Sequence, residues 1–116
     1  MKMAENYVKT IETLRLLSSS YEEQVRYFPD FADVPDEVIS SFENVFLLIP
    51  SLIEEERFSF KSIASILRIY NKMQWSLRNL DLDDFSSTEW NELRELSKNT
   101  LSLLDEAIQE PDMKYI

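Results

Sequence analysis

Apolar residues recur at every third or fourth position along most of the chain, which is the spacing of amphipathic α-helices. The first such run contains Tyr7, Val8, Ile11, Leu14 and Leu17 and predicts a helix over residues 4–18. No stretch alternates apolar and polar residues long enough to predict a strand, and a chain without glycine cannot form the common two-residue hairpin turns. The pattern therefore predicts an all-α fold.

A capping motif marks the start of the second helix. Ser20 is followed three residues later by Glu23, which is the spacing of a capping box at a helix N-terminus. Because the residue before a proline avoids the helical conformation, this helix must close before Pro29. The motif predicts a short helix over residues 21–28, followed by a loop.

Prolines set the bounds of the third helix. Pro35 suits the first turn of a helix, where its missing amide hydrogen removes no helical hydrogen bond. The helix is predicted over residues 35–56 and carries an apolar stripe. Pro50 is expected to kink or break it, because a proline ring clashes with the carbonyl group four residues earlier.

Two further helices complete the predicted bundle. Residues 60–78 show the most regular helical pattern. The residues expected on its buried side are Ile63, Ile66, Tyr70, Met73 and Leu77. Ser86 and Glu89 form a second capping box, and the last helix is predicted over residues 87–110. Residues 1–116 are thus predicted to form a single-domain bundle of about five helices.

Glycine, histidine and cysteine are all absent from the chain. Phosphate-binding loops need glycine, imidazole bases and ligands need histidine, and thiolate nucleophiles and most zinc sites need cysteine. We therefore expect no catalytic residue, no cofactor site and no metal site, and the sequence does not predict an enzyme. Helix C-termini, which often close on glycine, are expected to fray or to close on asparagines. The candidate asparagines are Asn71, Asn79 and Asn99.

One acidic run resembles a calcium-binding loop in part. Asp81, Asp83 and Glu92 fall at the first, third and twelfth positions of such a loop. Phe85 and Ser86 then occupy the places of an oxygen ligand and of the glycine at the sharp turn. The match fails, and we interpret the run as an acidic loop that caps the next helix.

No segment of the sequence is apolar enough to predict a membrane span. The longest apolar run, residues 45–53 with interruptions, falls far short of the roughly 18 residues that are required. The first residues lead directly into a charged helical pattern and not into a signal sequence. Because the chain also lacks cysteine, we expect a cytoplasmic protein that does not enter a membrane.

The charge of the chain is strongly acidic and unevenly distributed. Twenty-two acidic and twelve basic residues give a formal net charge of −10, which opposes direct binding to nucleic acid and favours encounter with a basic partner. Residues 30–56 contain eight acids and no base, and residues 81–112 contain ten acids and two bases. Between them, residues 57–80 contain five bases and no acid. The distribution predicts distinct acidic faces, one of which meets a cationic partner.

Carboxylates of the two acidic blocks, together with one aromatic side chain, are the candidate partner-binding residues. They form two alternative candidate faces, one with Asp30, Phe31, Asp33, Asp36, Glu37, Glu54, Glu55 and Glu56 and the other with Asp81, Asp83 and Asp84. Aromatic anchors dominate binding energy at protein interfaces, and carboxylates select a cationic surface. In the alternative interpretation, Phe28 and Phe31 close the end of the bundle and the aspartates are turn and cap residues. We expect the phenylalanines to be buried and at least some of the carboxylates to bind a partner.

Five basic residues follow one side of the predicted helix 60–78, opposite its apolar stripe. They are Arg57, Lys61, Arg68, Lys72 and Arg78. We expect a solvated face whose charges pair with acids on neighbouring helices. Trp75 lies on the same side and would be an exposed interface anchor, unless the helix ends before it and turns the ring inward. The alternative function is therefore a helical adaptor or scaffold module that binds through this basic face and Trp75.

Three segments in the first half of the chain resemble small immunity proteins of bacterial contact-dependent growth inhibition systems. They are the stretch from Ser18 to Phe31 with its Tyr-Phe-Pro-Asp-Phe loop, the helix start Val34-Pro35-Asp36-Glu37-Val38 and the run Phe46-Leu47-Leu48-Ile49-Pro50. The resemblance implies a cytoplasmic protein that binds the toxic C-terminal domain of a large surface protein, most often a nuclease, and blocks it. The acidic charge agrees with this implication, because a nuclease holds phosphate groups in a cationic site. The resemblance carries over no binding residues.

Overall fold

The computed structural model describes residues 2–79 and 88–116, with side chains from residue 5 onwards. Within those ranges the chain forms α-helices, one short 3₁₀ turn and no strand, which confirms the predicted all-α fold. The helices are α1 (Lys2–Ser18), α2 (Tyr21–Tyr27), α3 (Val34–Phe46), α4 (Ile49–Glu54), α5 (Phe60–Asn79) and α6 (Thr88–Leu103), and the 3₁₀ turn is Met113–Tyr115. The predicted capping box at Ser86 lies outside the described residues.

The helices α5 and α6 run antiparallel in close contact. The hydroxyl groups of Ser65 and Thr100 are hydrogen-bonded at 2.5 Å, and Lys72 forms an ion pair with Glu92. As the residue number rises along α5 it falls along α6, which fixes the antiparallel direction. Small hydroxyl side chains at this seam let the two helix backbones approach closely.

An aromatic stack joins α3 to α5. The rings of Phe46 and Tyr70 are stacked with their centroids 4.0 Å apart, and Gln74 Nε2 donates a hydrogen bond of 3.1 Å to Glu43 Oε2. The helix α1 contacts α3 and α6. The four long helices therefore form a bundle in which α1 and α5 occupy opposite corners.

The C-terminal half of α1 is buried on every side. Residues 10–19 are all buried, and the core includes Ile11, Leu14, Leu16 and Leu17. Two charged residues of this stretch, Glu12 and Arg15, are 7% and 8% exposed. A purely amphipathic helix would leave these polar side chains in solvent. The outer side of α1 is instead covered by the rest of the chain.

The residues after α6, which we call the C-terminal strap (residues 104–116), provide much of that cover. Arg15 Nε donates to the carbonyl oxygen of Ala107 at 3.0 Å, and Arg15 Nη2 lies 3.5 Å from Glu106 Oε1. Arg15 Nη1 is paired with Glu12 Oε2 at 2.7 Å. The backbone amide of Asp112 donates to Glu12 Oε1 at 2.9 Å. Both buried charges of α1 are thus satisfied by each other and by the strap.

The hydroxyl of Tyr7 closes the same network. It donates a hydrogen bond of 2.9 Å to Glu106 Oε2. Burial of the ring and this bond to a carboxylate raise the pKa of Tyr7 from 10.0 to about 12, because both disfavour the phenolate. The guanidinium of Arg57 lies over the same ring, 4.7 Å from its centroid.

The break between α3 and α4 lies shortly before the predicted position. The helix α3 ends at Phe46, and Pro50 occupies the first turn of α4. Phe46 is four residues before the proline, which is the residue whose carbonyl a proline ring would strike in a continuous helix. The ring of Pro50 therefore prevents α3 from continuing past Phe46, and Pro50 itself lies within α4, after the break.

The last helix ends at Leu103, and the prediction that it runs to residue 110 is wrong. Asp105 adopts the left-handed conformation with φ 59°. Its backbone amide donates to the carbonyl oxygen of Ser102 at 3.1 Å, and the amide of Glu106 donates to the carbonyl oxygen of Leu101 at 2.9 Å. This pair of bonds is a Schellman motif, which turns the chain out of the helix and toward α1.

The same motif ends α4 at Glu56, which also has φ 59°. The amide of Glu56 donates to the carbonyl oxygen of Ile53 at 2.9 Å, and the amide of Arg57 donates to that of Leu52 at 3.0 Å. In a chain without glycine, two acidic residues thus take the place that glycine usually fills. The expectation that asparagines close the helices is wrong for these two ends. The side chain of Asn79 does donate to the carbonyl of Trp75 at the last described turn of α5.

The buried side of α5 is rotated from the predicted stripe. The buried residues are Ser62, Ser65, Ile66, Ile69, Met73 and Ser76. Of the predicted stripe, Ile66 and Met73 are buried, Ile63 and Tyr70 are half-buried, and Leu77 is 41% exposed. A pattern read from apolar residues alone misses serines that occupy a close helix seam.

Candidate partner-binding site

A tight turn presents the first group of predicted binding residues. Phe28 caps the end of α2 in an extended conformation, as expected for a residue before proline. The amide of Ala32 then donates to the carbonyl oxygen of Pro29 at 3.0 Å. This bond closes a β-turn in which Asp30 and Phe31 occupy the two corner positions.

The two phenylalanines of this turn point in different directions. Phe28 is half-buried and packs against the core, as expected for a residue that closes the end of the bundle. Phe31 is 91% exposed, so the expectation that it is buried is wrong. Its position at the tip of the turn is that of an aromatic side chain presented to a partner.

Carboxylates surround Phe31 on what we call the acidic loop (residues 30–37). Asp33 is the N-cap of α3, and its Oδ1 accepts a hydrogen bond of 3.3 Å from the amide of Asp36. Asp30, Asp36 and Glu37 are exposed. Within the described part of the chain, none of these carboxylates forms an ion pair. The acidic loop therefore displays negative charge that the chain itself does not neutralise.

The second group of predicted binding residues lies near the N-terminal end of α1. It comprises Glu54, Glu55 and Glu56. The side chain of Tyr27, just before the acidic loop, lies close to Ser19 at the C-terminal end of α1. Arg57, just after Glu56, stacks on Tyr7 near the N-terminal end. Tyr7 and Ser19 are separated by about 18 Å along the helix axis. The structure therefore does not join the carboxylates of residues 30–37 and 54–56 into the single face that the sequence predicts.

The three glutamates of the second group differ in their surroundings. Glu54 and Glu56 are exposed, and Glu56 also closes α4 through its left-handed backbone. Glu55 is half-buried, and its Oε2 atom is buried without a hydrogen-bond partner. The base Arg57 follows these glutamates directly, whereas residues 30–37 contain no base. We regard the acidic loop as the better candidate site.

The remaining predicted residues, Asp81, Asp83 and Asp84, lie outside the described residues, as does most of the partial calcium-loop pattern. Among the described residues, no group of three or more carboxylates is arranged to hold a metal ion. The described helices include none that is long and apolar enough to cross a membrane.

The basic side of α5 differs from the expected solvated and paired face. The prediction of pairing with neighbouring acids holds for Lys72, which pairs with Glu92. Lys61, Arg68 and Arg78 form no ion pair with any described residue. Trp75 is 51% exposed, because α5 continues past it to Asn79. The ring is therefore not turned inward.

A buried polar network also escaped the sequence-based prediction. Arg94 is 5% exposed, and its Nη2 donates to Gln24 Oε1 at 2.9 Å while its Nη1 donates to Asn91 Oδ1 at 2.9 Å. Gln24 Nε2 in turn donates to the carbonyl of Leu16 at 2.9 Å. Burial lowers the pKa of Arg94, although nearby Glu22 opposes this shift. The network ties α2 to α6 and to the end of α1.

A cavity of about 730 Å³ opens beside this network. Its wall includes the cations Arg94 and Lys98 together with the anions Glu22, Glu23 and Glu95. Charges of both signs are mixed in the wall and do not converge on one point. The cavity therefore indicates no specific charged ligand.

The chain matches no family model, no curated protein and no solved structure.

Proposed function

We propose that this protein is an immunity protein that binds and neutralises the toxic C-terminal domain of a contact-dependent growth inhibition toxin in the cytoplasm. The contact is made by the acidic loop, and the toxin domain is a nuclease with a cationic active site. The observation that carries this proposal is the 91% exposure of Phe31 at the tip of a turn lined with unpaired carboxylates.

An exposed phenylalanine gains from being covered. Moving such a ring from water into a pocket contributes about 1.5–3 kcal/mol. Interfaces usually depend on a few aromatic anchors surrounded by contacts that exclude water. Phe31 has the position and the exposure of such an anchor.

The carboxylates of the acidic loop supply selectivity. A nuclease holds phosphate groups with lysine and arginine, so its active site attracts carboxylates by the same charge. Asp30, Asp36 and Glu37 occupy the place of phosphates, while Phe31 enters an adjoining pocket. Inhibition then requires only that the loop cover the site, with no chemical step.

The acidic loop is held in one shape before it binds. Phe28 is packed against the core, the Pro29–Ala32 turn is closed by a hydrogen bond, and Asp33 caps α3. A rigid loop loses little conformational entropy on association, which favours tight binding.

The test uses the toxin domain that the proposal expects from a neighbouring gene, co-expressed and co-purified with this chain. Phe31→Ala should abolish growth protection and raise the Kd at least about 30-fold, as for a central interface residue. Phe60→Ala is the matched control, because Phe60 is 92% exposed but lies on α5. Both variants remove an exposed ring, so both should fold.

Charge is tested with a second matched pair. Asp30→Asn combined with Glu37→Gln should weaken binding chiefly by slowing association, whereas Glu54→Gln combined with Glu56→Gln should leave it unchanged. Binding should also weaken as salt is raised. Full protection by Phe31→Ala, loss of protection by Phe60→Ala alone, or the absence of a neighbouring toxin gene would each overturn the proposal.

A further inference from the structure

The outward side of α5 carries a second line of residues, most of which are apolar. Positions separated by four, three, four, four and three residues return to the same side of a helix over five turns. In α5 this line is Phe60, Ala64, Leu67, Asn71, Trp75 and Arg78. It faces away from the buried serine seam described above.

Three large side chains on this line are exposed. Phe60 is 92% exposed, Trp75 is 51% exposed and Leu67 is 44% exposed. From Phe60 to Trp75 the line extends for about 22 Å along the helix. Single exposed apolar residues are common, but three on one helical line are typical of an interaction surface.

Positive charge borders the same line. Lys61 and Arg68 lie along one edge of it, and Arg78 lies at its end. Two acids on adjoining helices are already engaged, because Glu92 pairs with Lys72 and Glu43 accepts a hydrogen bond from Gln74. Lys61, Arg68 and Arg78 form no ion pair with any described residue, which leaves their charges for a partner.

We propose that this outer face of α5 binds an acidic amphipathic helix of a second protein. The apolar stripe of that helix covers Phe60, Leu67 and Trp75, and its carboxylates pair with Lys61, Arg68 and Arg78. The inference is independent of the acidic loop and extends beyond the proposed inhibition of a toxin.

The straight line on α5 argues for a helical partner. Two helices pack by placing rows of side chains from one into the grooves of the other, and such rows follow the three- and four-residue spacing seen here. Charged residues beside an apolar seam then select the partner helix, as in coiled coils.

Charge and apolar content together argue against other occupants. Nucleic acid offers phosphates but no aliphatic stripe for Leu67. An anionic membrane is a broad surface that would meet the acidic blocks before and after α5 in the chain as well as the cations of α5. A second copy would place Lys61, Arg68 and Arg78 against the same cations. A helix that combines carboxylates with apolar residues satisfies both features of the face.

The probe is a labelled synthetic peptide of about 21 residues, with leucine at the a and d positions and glutamate at the e and g positions of each heptad. Its matched control carries glutamine in place of glutamate. Fluorescence anisotropy at about 0.15 M salt, where charges more than about 8 Å apart are largely screened, should show a Kd at least about tenfold lower for the glutamate peptide than for the glutamine peptide.

Variants of the protein locate the contact. Phe60→Ala combined with Trp75→Ala should raise the Kd for the glutamate peptide at least about tenfold, whereas Phe31→Ala should not change it. Lys61→Glu combined with Arg68→Glu should abolish binding. The matched charge control is Lys9→Glu combined with Arg26→Glu, since both residues are exposed on other helices.

Several results would overturn the inference. These are equal binding of the two peptides, unchanged binding by the double alanine variant, and displacement of the peptide by duplex DNA or phosphatidylglycerol vesicles at lower concentration than by unlabelled peptide. Light scattering that shows a dimer lost in Phe60→Ala would assign the face to a second copy instead. Because Phe31→Ala and Phe60→Ala exchange their roles as test and control, failure here is distinguishable from failure of the toxin proposal.

Discussion

The helices α1 and α5 occupy opposite corners of one bundle. They differ in whether the rest of the chain covers their outer sides. The C-terminal half of α1 is buried all round, including the charged pair Glu12 and Arg15. The outer side of α5 remains open, although it carries Phe60 and Trp75. The chain thus covers a side that holds charge and leaves open a side that holds aromatic rings.

This difference separates stability from function. Burying a charge costs free energy unless every polar group finds a partner, and the C-terminal strap supplies those partners for α1. An open aromatic face gives no comparable benefit to the folded monomer. We therefore expect substitutions on the outer side of α1 to affect folding, and those on the outer side of α5 to affect binding.

The largest expected effect comes from breaking the buried ion pair of α1. Arg15→Met should lower the free energy of unfolding by about 3–5 kcal/mol, because Glu12 loses its base while it stays buried. Arg68→Met on α5 should change it by less than about 0.5 kcal/mol. Urea denaturation followed by circular dichroism measures both. Similar values for the two variants would contradict the contrast between the helices.

A matched pair of leucines tests the same contrast without charge. Leu14 is 1% exposed on α1, and Leu67 is 44% exposed on α5. Leu14→Ala should destabilise the protein by about 2–5 kcal/mol, because it leaves a cavity in the core. Leu67→Ala should cost less than about 1 kcal/mol. If Leu67→Ala proved as costly as Leu14→Ala, the outer side of α5 would be covered by the chain itself.

The smallest expected effect is a pH dependence at the edge of the α1 network. The unfolded chain ionises Tyr7 near pH 10, whereas the folded chain holds the proton until about pH 12. The hydroxyl therefore contributes its full stability below pH 10, and this contribution is lost as the pH rises through 12. At about pH 8, the free energy of unfolding of Tyr7→Phe should be about 1 kcal/mol lower than that of the unmodified protein. This difference in the free energy of unfolding should be smaller at about pH 11.5. A difference that stays constant with pH would contradict the role assigned to Tyr7.

Much of this fold could be predicted from the sequence because the helices are bounded by local signals. The capping box at Ser20 and Glu23 is formed as predicted, with the Ser20 amide donating to Glu23 at 2.9 Å. Pro35 lies in the first turn of α3. Such signals act over three or four residues, so a single sequence contains all the information that they need.

Features that depend on distant residues could not be predicted in this way. Apolar periodicity continues past Leu103 through Leu104 and Ile108, but the chain leaves the helix at Asp105 to reach Arg15. That outcome depends on contacts across more than ninety positions, as the 92-residue separation of Arg15 and Ala107 shows. The two charged residues inside an apolar half of α1 are the signal that could have indicated a covering segment.

The candidate site also combines features that can be predicted from local sequence with features that cannot. The carboxylates of the acidic loop could be named from charge alone, and their exposure follows from the cost of burying them unpaired. The burial of Phe28 and the exposure of Phe31 could not be predicted, because the turn between them sets the direction of each side chain. For the same reason, the exposure of Trp75 depended on where α5 ends.

The two tryptophans have unequal surroundings, and this gives the protein two optical reporters. Trp90 is fully buried against the core, and Trp75 is half-exposed on α5. The indole of Trp90 should emit at shorter wavelength and shift only when the chain unfolds. The indole of Trp75 should be quenched by iodide and protected when its face is covered. One unlabelled sample can therefore report separately on folding and on occupancy of α5.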